Sequence, residues 1–141
     1  MRTTIYIRTS TKEQNPMNQL QDCLSVNNWG EYELLEDQQS AWKDNKNRPG
    51  FDKVLALIKA KQLDHLIVWD LDRLYRRYDR VSGFFDLCKA YGCKVHSFRQ
   101  AWLETINEVP YPWNNVMMGF LINVFAYIGQ EESDKKSMRV K

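Results

Sequence analysis

Residues 3–8, Thr-Thr-Ile-Tyr-Ile-Arg, open the chain with a short β-rich run that predicts a strand. A polar stretch follows over 9–15. Pro16 stands where a helix would begin, Asn15 suits its N-cap, and Met17, Leu20 and Leu24 share one helical face. Residues 32–36 predict a second strand, and the polar, aperiodic run 37–50 a loop. Phe51, Val54, Leu55 and Ile58 mark a second helix. Residues 65–69, His-Leu-Ile-Val-Trp, are almost wholly apolar, as in a central strand covered on both faces. A third helix is expected over about 80–90, closed by Gly92. Residues 94–98 predict a fourth strand and 102–106 a short fifth one. Pro110 and Pro112 break the chain before a last helix over about 113–141, where Met117, Phe120 or Leu121, Val124 and Ile128 recur at three- and four-residue steps. Past Ile128 the apolar row gives way to charge, so this helix outlasts its own core.

Strands alternating with helices predict an α/β domain: a mainly parallel four- to five-stranded sheet flanked by helices, with a long C-terminal helix suited to oligomerisation. The 141 residues make one domain, a core over about 1–110 followed by the helix over about 113–141. Hydrophobic residues make up 43% and charged residues 27%, a globular balance that excludes a disordered tail. Net charge is only +2, too small to argue for nucleic acid by itself. Its distribution says more, because residues 72–77 and 135–141 are locally basic. The three cysteines, Cys23, Cys88 and Cys93, are odd in number and lack metal-site spacing. A reducing, cytoplasmic setting fits them best. No signal peptide is expected. The apolar stretch 116–128 is interrupted by Asn123 and is shorter than the roughly 20 residues that span a bilayer, so no membrane partner is expected.

Open α/β sheets place their sites beyond the carboxyl ends of the strands. The first strand runs out into Arg8, Thr9 and Ser10, and the third into Asp70, Leu71, Asp72, Arg73, Leu74, Tyr75 and Arg76. If these strands are neighbours, Arg8, Ser10, Asp72, Arg73 and Arg76 converge, and Arg48 can join them from the loop before the second helix. A guanidinium keeps its charge and offers a rigid fork of donors that matches phosphate oxygens. Several arginines facing one serine suggest phosphoryl transfer, with the serine as nucleophile and the arginines stabilising the charge that develops. No nucleotide-binding GxxxxGK[ST] loop is present. His65 and His96 fall in strands far apart in sequence, which argues against a Ser-His-Asp triad, and no His/Cys/Asp cluster has metal spacing. The same residues also suit a turn serine and surface ion pairs.

Three segments carry a resemblance. Residues 6–11, Tyr-Ile-Arg-Thr-Ser-Thr, are similar to the opening Y-x-R-V-S-T of the resolvase/invertase family of serine recombinases, with Thr9 in place of valine. Residues 70–76, Asp-Leu-Asp-Arg-Leu-Tyr-Arg, resemble that family's K-L-D-R-L-x-R segment. Residues 47–52, Asn-Arg-Pro-Gly-Phe-Asp, resemble its R-P-G-L-D loop. Gln14 and Gln19 fall where the family places glutamines, and Ser40-Ala41 stands where it has Ser-Gly. The likeness runs over nearly the whole chain.

The resemblance implies site-specific DNA recombination. Ser10 would attack the scissile phosphate, giving a 5′-phosphoserine link and a free 3′-hydroxyl. Arg8, Arg48, Arg73 and Arg76 would hold and activate that phosphate, and Asp72 would orient an arginine or take part in proton transfer. Gln14, Gln19 and Ser40 would support the site. The family needs no metal and no ATP. Its partners would be double-stranded DNA and further copies of the chain, a dimer becoming a tetramer at synapsis through Met117, Leu121, Val124 and Ile128. Family members carry a separate DNA-binding domain after the long helix, which these residues do not include, so weak and salt-sensitive DNA binding is expected. Two other classes stand beside this one. A catalytically silent assembly or regulatory module would keep the fold without needing Ser10 or the arginines. A receiver-like phosphorylation module would need an acidic cluster after the first strand, where Arg8 and Ser10 stand instead.

Overall fold

The computed structural model describes residues 2–9, 16–38, 48–75 and 78–139. Strand β1 (Thr3–Thr9) is buried along its whole length. Helix α1 (Pro16–Val26) leads to β2 (Glu33–Gln38), and α2 (Pro49–Lys59) to β3 (His65–Val68). A short 3-10 turn (Leu71–Arg73) precedes α3 (Tyr78–Ala90), then β4 (Lys94–Ser97), α4 (Trp102–Glu108) and α5 (Trp113–Arg139). Among the described residues the sheet has four strands, all parallel, in the order β2-β1-β3-β4.

The sheet carries two cores because alternate side chains of a strand point to opposite faces. Ile5 and Ile7 of β1 and Ile67 of β3 pack with Cys23 of α1, flanked by Leu20, Trp29 and Trp69. Tyr6, Leu66, Val68 and Val95 face the other way. Against them lie Phe51, Val54 and Ile58 of α2, Val81, Phe84 and Phe85 of α3, Leu103 and Ile106 of α4, and Met118 and Ile122 of α5. Burial also pushes the Cys23 thiol up to about 12, so it stays protonated as a small core residue.

The expected fifth strand at 102–106 is instead the helix α4. Leu103 and Ile106 are both buried three residues apart, a helical step that a two-residue strand period cannot satisfy. The run 37–50 is less of a loop than its polarity suggests. Asp37 and Gln38 extend β2, and Pro49 and Gly50 begin α2. The cause is Asp37, whose carboxylate accepts the N–H groups of Gly50 at 2.8 Å and Phe51 at 2.9 Å and so satisfies the open first turn of α2. Gly50 is required there: a Cβ would lie 2.9 Å from the Glu36 carbonyl and 3.0 Å from Asp37 Oδ1. Gly92 ends α3 at φ +75°, the left-handed conformation expected of it.

Candidate functional site

The chain leaves β1 to one side for β2 and returns on the other for β3, so the carboxyl ends of β1 and β3 flank a topological switch point. At that point β1 delivers Arg8 and Thr9, and β3 runs through Trp69 and Asp70 into the 3-10 turn. Asp70 caps the turn, its Oδ1 accepting the Asp72 N–H at 3.1 Å. Gln100, just past β4, donates to the same oxygen at 3.1 Å and accepts the Leu71 N–H at 3.1 Å. Leu71 and Leu74 anchor the turn in the core. The acidic and basic residues between them are thus carried on a braced segment.

Two arginines grip this turn from below. Arg8 Nη2 donates to the Asp72 carbonyl at 2.6 Å. Arg48 is 8% exposed. Its Nη1 donates to the Leu74 carbonyl at 2.7 Å, and its Nη2 to the Arg73 carbonyl at 2.7 Å and the Tyr6 hydroxyl at 3.0 Å. Its guanidinium also lies 4.1 Å from the Phe51 ring centre. Arg73 points elsewhere: it meets the Asp72 carboxylate at 3.6 Å and stacks over Trp69 at 5.2 Å. Three guanidiniums therefore gather around residues 72–74, beside the end of β1 that leads to Ser10.

Beneath them, the Tyr6 hydroxyl donates to Asp37 Oδ2 at 2.7 Å. Burial drives the Tyr6 hydroxyl far above its ordinary range, so it remains a donor. Asp37, Tyr6 and Arg48 form a buried polar chain from β2 through β1 to the turn. Sequence reasoning passed over Asp37 and Tyr6 as site components. Their partners lie 13 to 42 residues away, so no local spacing signals them.

Ser10, Gln14, Ser40 and Arg76 lie outside the described residues. Gln19 is 2% exposed on α1, and its Oε1 has no hydrogen-bond partner among the described residues. On α5, Met117, Val124 and Ile128 are exposed, and Trp113, Val116, Phe120 and Tyr127 extend their row. Leu121 instead lies half-buried against the main core. Of the two alternatives for the exposed row, Phe120 takes that place at 67% exposure. His65 and His96, far apart in sequence, meet on neighbouring strands at 3.0 Å, and His96 Nδ1 contacts Glu104. They sit at the start of β3 and within β4, on the sheet face that Trp29 covers. Among the described residues no group of three or more His, Cys, Asp or Glu side chains could hold a metal.

The profile of a family described as "Resolvase, N terminal domain" matches residues 3–141. The chain belongs to the resolvase family. A resolvase of Clostridium perfringens is 29% identical over 136 residues, covering 96% of this chain and 66% of that protein. The transposon Tn1546 resolvase of Enterococcus faecium is 30% identical over 139 residues, covering 99% of this chain and 66% of that protein. This resolvase domain thus spans just under two thirds of those curated relatives. Among solved structures, the N-terminal catalytic domain of TP901-1 integrase superposes with a TM-score of 0.63 at 16% identity, covering 95% of this chain and 98% of that one. A serine recombinase from Sulfolobus solfataricus gives 0.58 at 21% identity, covering 97% and 86%. At those identities the likeness speaks for the fold of the resolvase domain. Among the described residues, no helix is long and apolar enough to cross a membrane.

Proposed function

We propose that this resolvase-family domain breaks and rejoins DNA at specific sites, with Ser10 as the nucleophile. The Ser10 oxygen forms a bond to the scissile phosphorus. The bond from that phosphorus to the neighbouring 3′-oxygen breaks, and the serine proton ends on that oxygen as a 3′-hydroxyl. The 5′-phosphoserine diester keeps the energy of the broken bond. A 3′-hydroxyl from the exchanged strand can then reverse the step, releasing Ser10 without ATP.

The observation that carries this reading is the gathering of Arg8, Arg48 and Arg73 at the switch point, beside the strand end that leads to Ser10. Fixed guanidiniums favour the extra negative charge of the phosphorane transition state and supply the positive charge that a metal supplies elsewhere. Arg8, from the end of β1, and Arg73, from the turn, act on the phosphate. Arg48, its Nη donors held by carbonyls, adds its charge from beneath while fixing the turn's shape. Arg76, Gln14, Gln19 and Ser40 complete the site by their place in the motifs. Asp72 orients Arg73 or takes part in the proton's transfer. The partners are double-stranded DNA and further copies of this chain, a dimer becoming a tetramer at synapsis. The exposed apolar row on α5 supports the latter. Three buried free thiols suit the cytoplasm.

The test joins the chain to a DNA-binding domain of known specificity and supplies a supercoiled plasmid with paired sites. After quenching with denaturant, protein attached to DNA 5′ ends is expected from the wild type and absent from Ser10→Ala. Adducts from both proteins, or from neither while both occupy their sites, would remove Ser10 from the role given to it. The second outcome would favour a silent assembly module of the same fold.

A further inference from the structure

The residues after β4 carry a basic side chain that the motifs do not include. The Phe98 N–H donates to the Val68 carbonyl at 3.1 Å and the Arg99 N–H to the Trp69 carbonyl at 2.9 Å, so the ladder between β3 and β4 continues past both strands. This sets Arg99 one residue past the level of Trp69, at the same carboxyl edge of the sheet as the 3-10 turn. The Arg99 guanidinium lies 5.3 Å from the Trp69 ring centre, and that of Arg73 lies 5.2 Å from the same ring. The ring is fixed in turn, since its indole N–H donates to Asp22 Oδ2 on α1 at 2.9 Å.

Two cations at one ring repel each other, and they are not equally neutralised. Arg73 meets the Asp72 carboxylate at 3.6 Å. Arg99 is exposed and pairs with no carboxylate among the described residues. The Asp22 carboxylate beside the ring is engaged by the indole N–H. An exposed arginine with nothing else to do would ordinarily swing away into water or towards an acid. Contact with the tryptophan holds it instead at the same ring as a second cation, and an anion bound near both would offset their like charge. A single cation–π contact does not use up the five N–H donors of a guanidinium, so donors stay available for phosphate oxygens.

We propose that Arg99, held over Trp69, is a further DNA-backbone contact of this domain and grips a phosphate flanking the one presented to Arg73. The proposal rests on the DNA-acting reading above. Trp69 is the positioning residue: it sets the spacing of the two guanidiniums and carries no contact of its own to the phosphate.

The experiment measures binding of the chain to a short DNA duplex of arbitrary sequence across a salt series. Each phosphate neutralised on duplex DNA contributes about 0.9 to the slope of log affinity against log salt. Arg99→Gln is expected to lower that slope by about 0.9 and to weaken binding severalfold at low salt. Arg99→Lys, which keeps the charge, is expected to retain the slope. Lys53→Gln is the control, because Lys53 pairs with Glu33 away from this edge. A slope that Arg99→Gln leaves unchanged overturns the proposal, as does a wild type whose DNA binding ignores salt or an equal loss with Lys53→Gln. The Ser10 adduct assay is scored separately. Ser10-dependent adducts with an unchanged Arg99→Gln slope sink only the Arg99 contact. A lowered slope without adducts supports the contact and tells against Ser10 catalysis alone.

Discussion

At the scale of single residues, the firmest construction in the site is the Asp37 carboxylate. It accepts the N–H groups of Gly50 and Phe51 and the hydroxyl of Tyr6, all from inside the fold at 5% exposure. Replacing it by alanine leaves two buried donors and one part-buried donor without this partner, and each such hydrogen bond to a charged group contributes about 1.5–3 kcal/mol. The losses are not additive, so Asp37→Ala is expected to lower unfolding free energy by about 3 kcal/mol in a denaturant titration. A change below about 0.5 kcal/mol would show that water replaces the carboxylate readily. The sequence hides this residue in a polar stretch, because an aspartate before a proline-led helix reads as turn composition. The sequence does expose Arg8, Asp72 and Arg73. They lie at or shortly after strand ends, and strand ends are where α/β sites lie.

At the scale of elements, β3, β4 and α4 are tied together by His65, His96 and Glu104 beneath the Trp29 ring, which stacks on His65 at 4.0 Å. Burial lowers the His65 pKa below its ordinary value of 6.5, and neighbouring His96 lowers it further; Lys94 acts in the same direction, against Asp64 and Glu104. The unfolded chain therefore takes up a proton near 6.5 that the folded chain resists. The stability that His65 contributes is present above 6.5 and is lost as pH falls through that value towards the lower folded one. Urea titrations should show unfolding free energy declining below pH 6.5 in the wild type and a flatter profile in His65→Asn. An equally steep decline in the variant would place that pH dependence in other groups. At this scale the sequence misled once. Residues 102–106 carry β-compatible side chains, yet Leu103 and Ile106 reach the core only along a helix, and nothing local distinguishes the two.

For the whole molecule, α5 holds itself to the domain with one stripe and offers another to solvent. Met118 and Ile122 are buried against the main core. Trp113, Val116, Met117, Phe120, Val124, Tyr127 and Ile128 are not, and an apolar row of that extent on a small domain marks an interaction surface. The proposed occupant is a second copy of the chain. Phe120→Asp is expected to weaken self-association at least tenfold in sedimentation while leaving the thermal midpoint of the monomer within a few degrees, since its side chain is 67% exposed. An association constant that the substitution leaves unaltered would assign the row to a different partner.

The division between what the chain's order of residues determines and what folding decides follows from range. Alternating strand and helix composition, an apolar β3 and the serine and arginines at and after strand ends are local features, and they determine the α/β class and the address of the candidate site. Tertiary structure alone decided that β1 and β3 are neighbours, which brings those strand ends together in one candidate site. It also decided that Arg48 lies buried beneath the turn, that Asp37 caps a distant helix, and that the two histidines touch. In each case the partner lies more than ten residues away, and the bond exists only because the sheet order has closed that distance. Local composition specifies which groups need a partner; the packing of the elements decides which partner they meet.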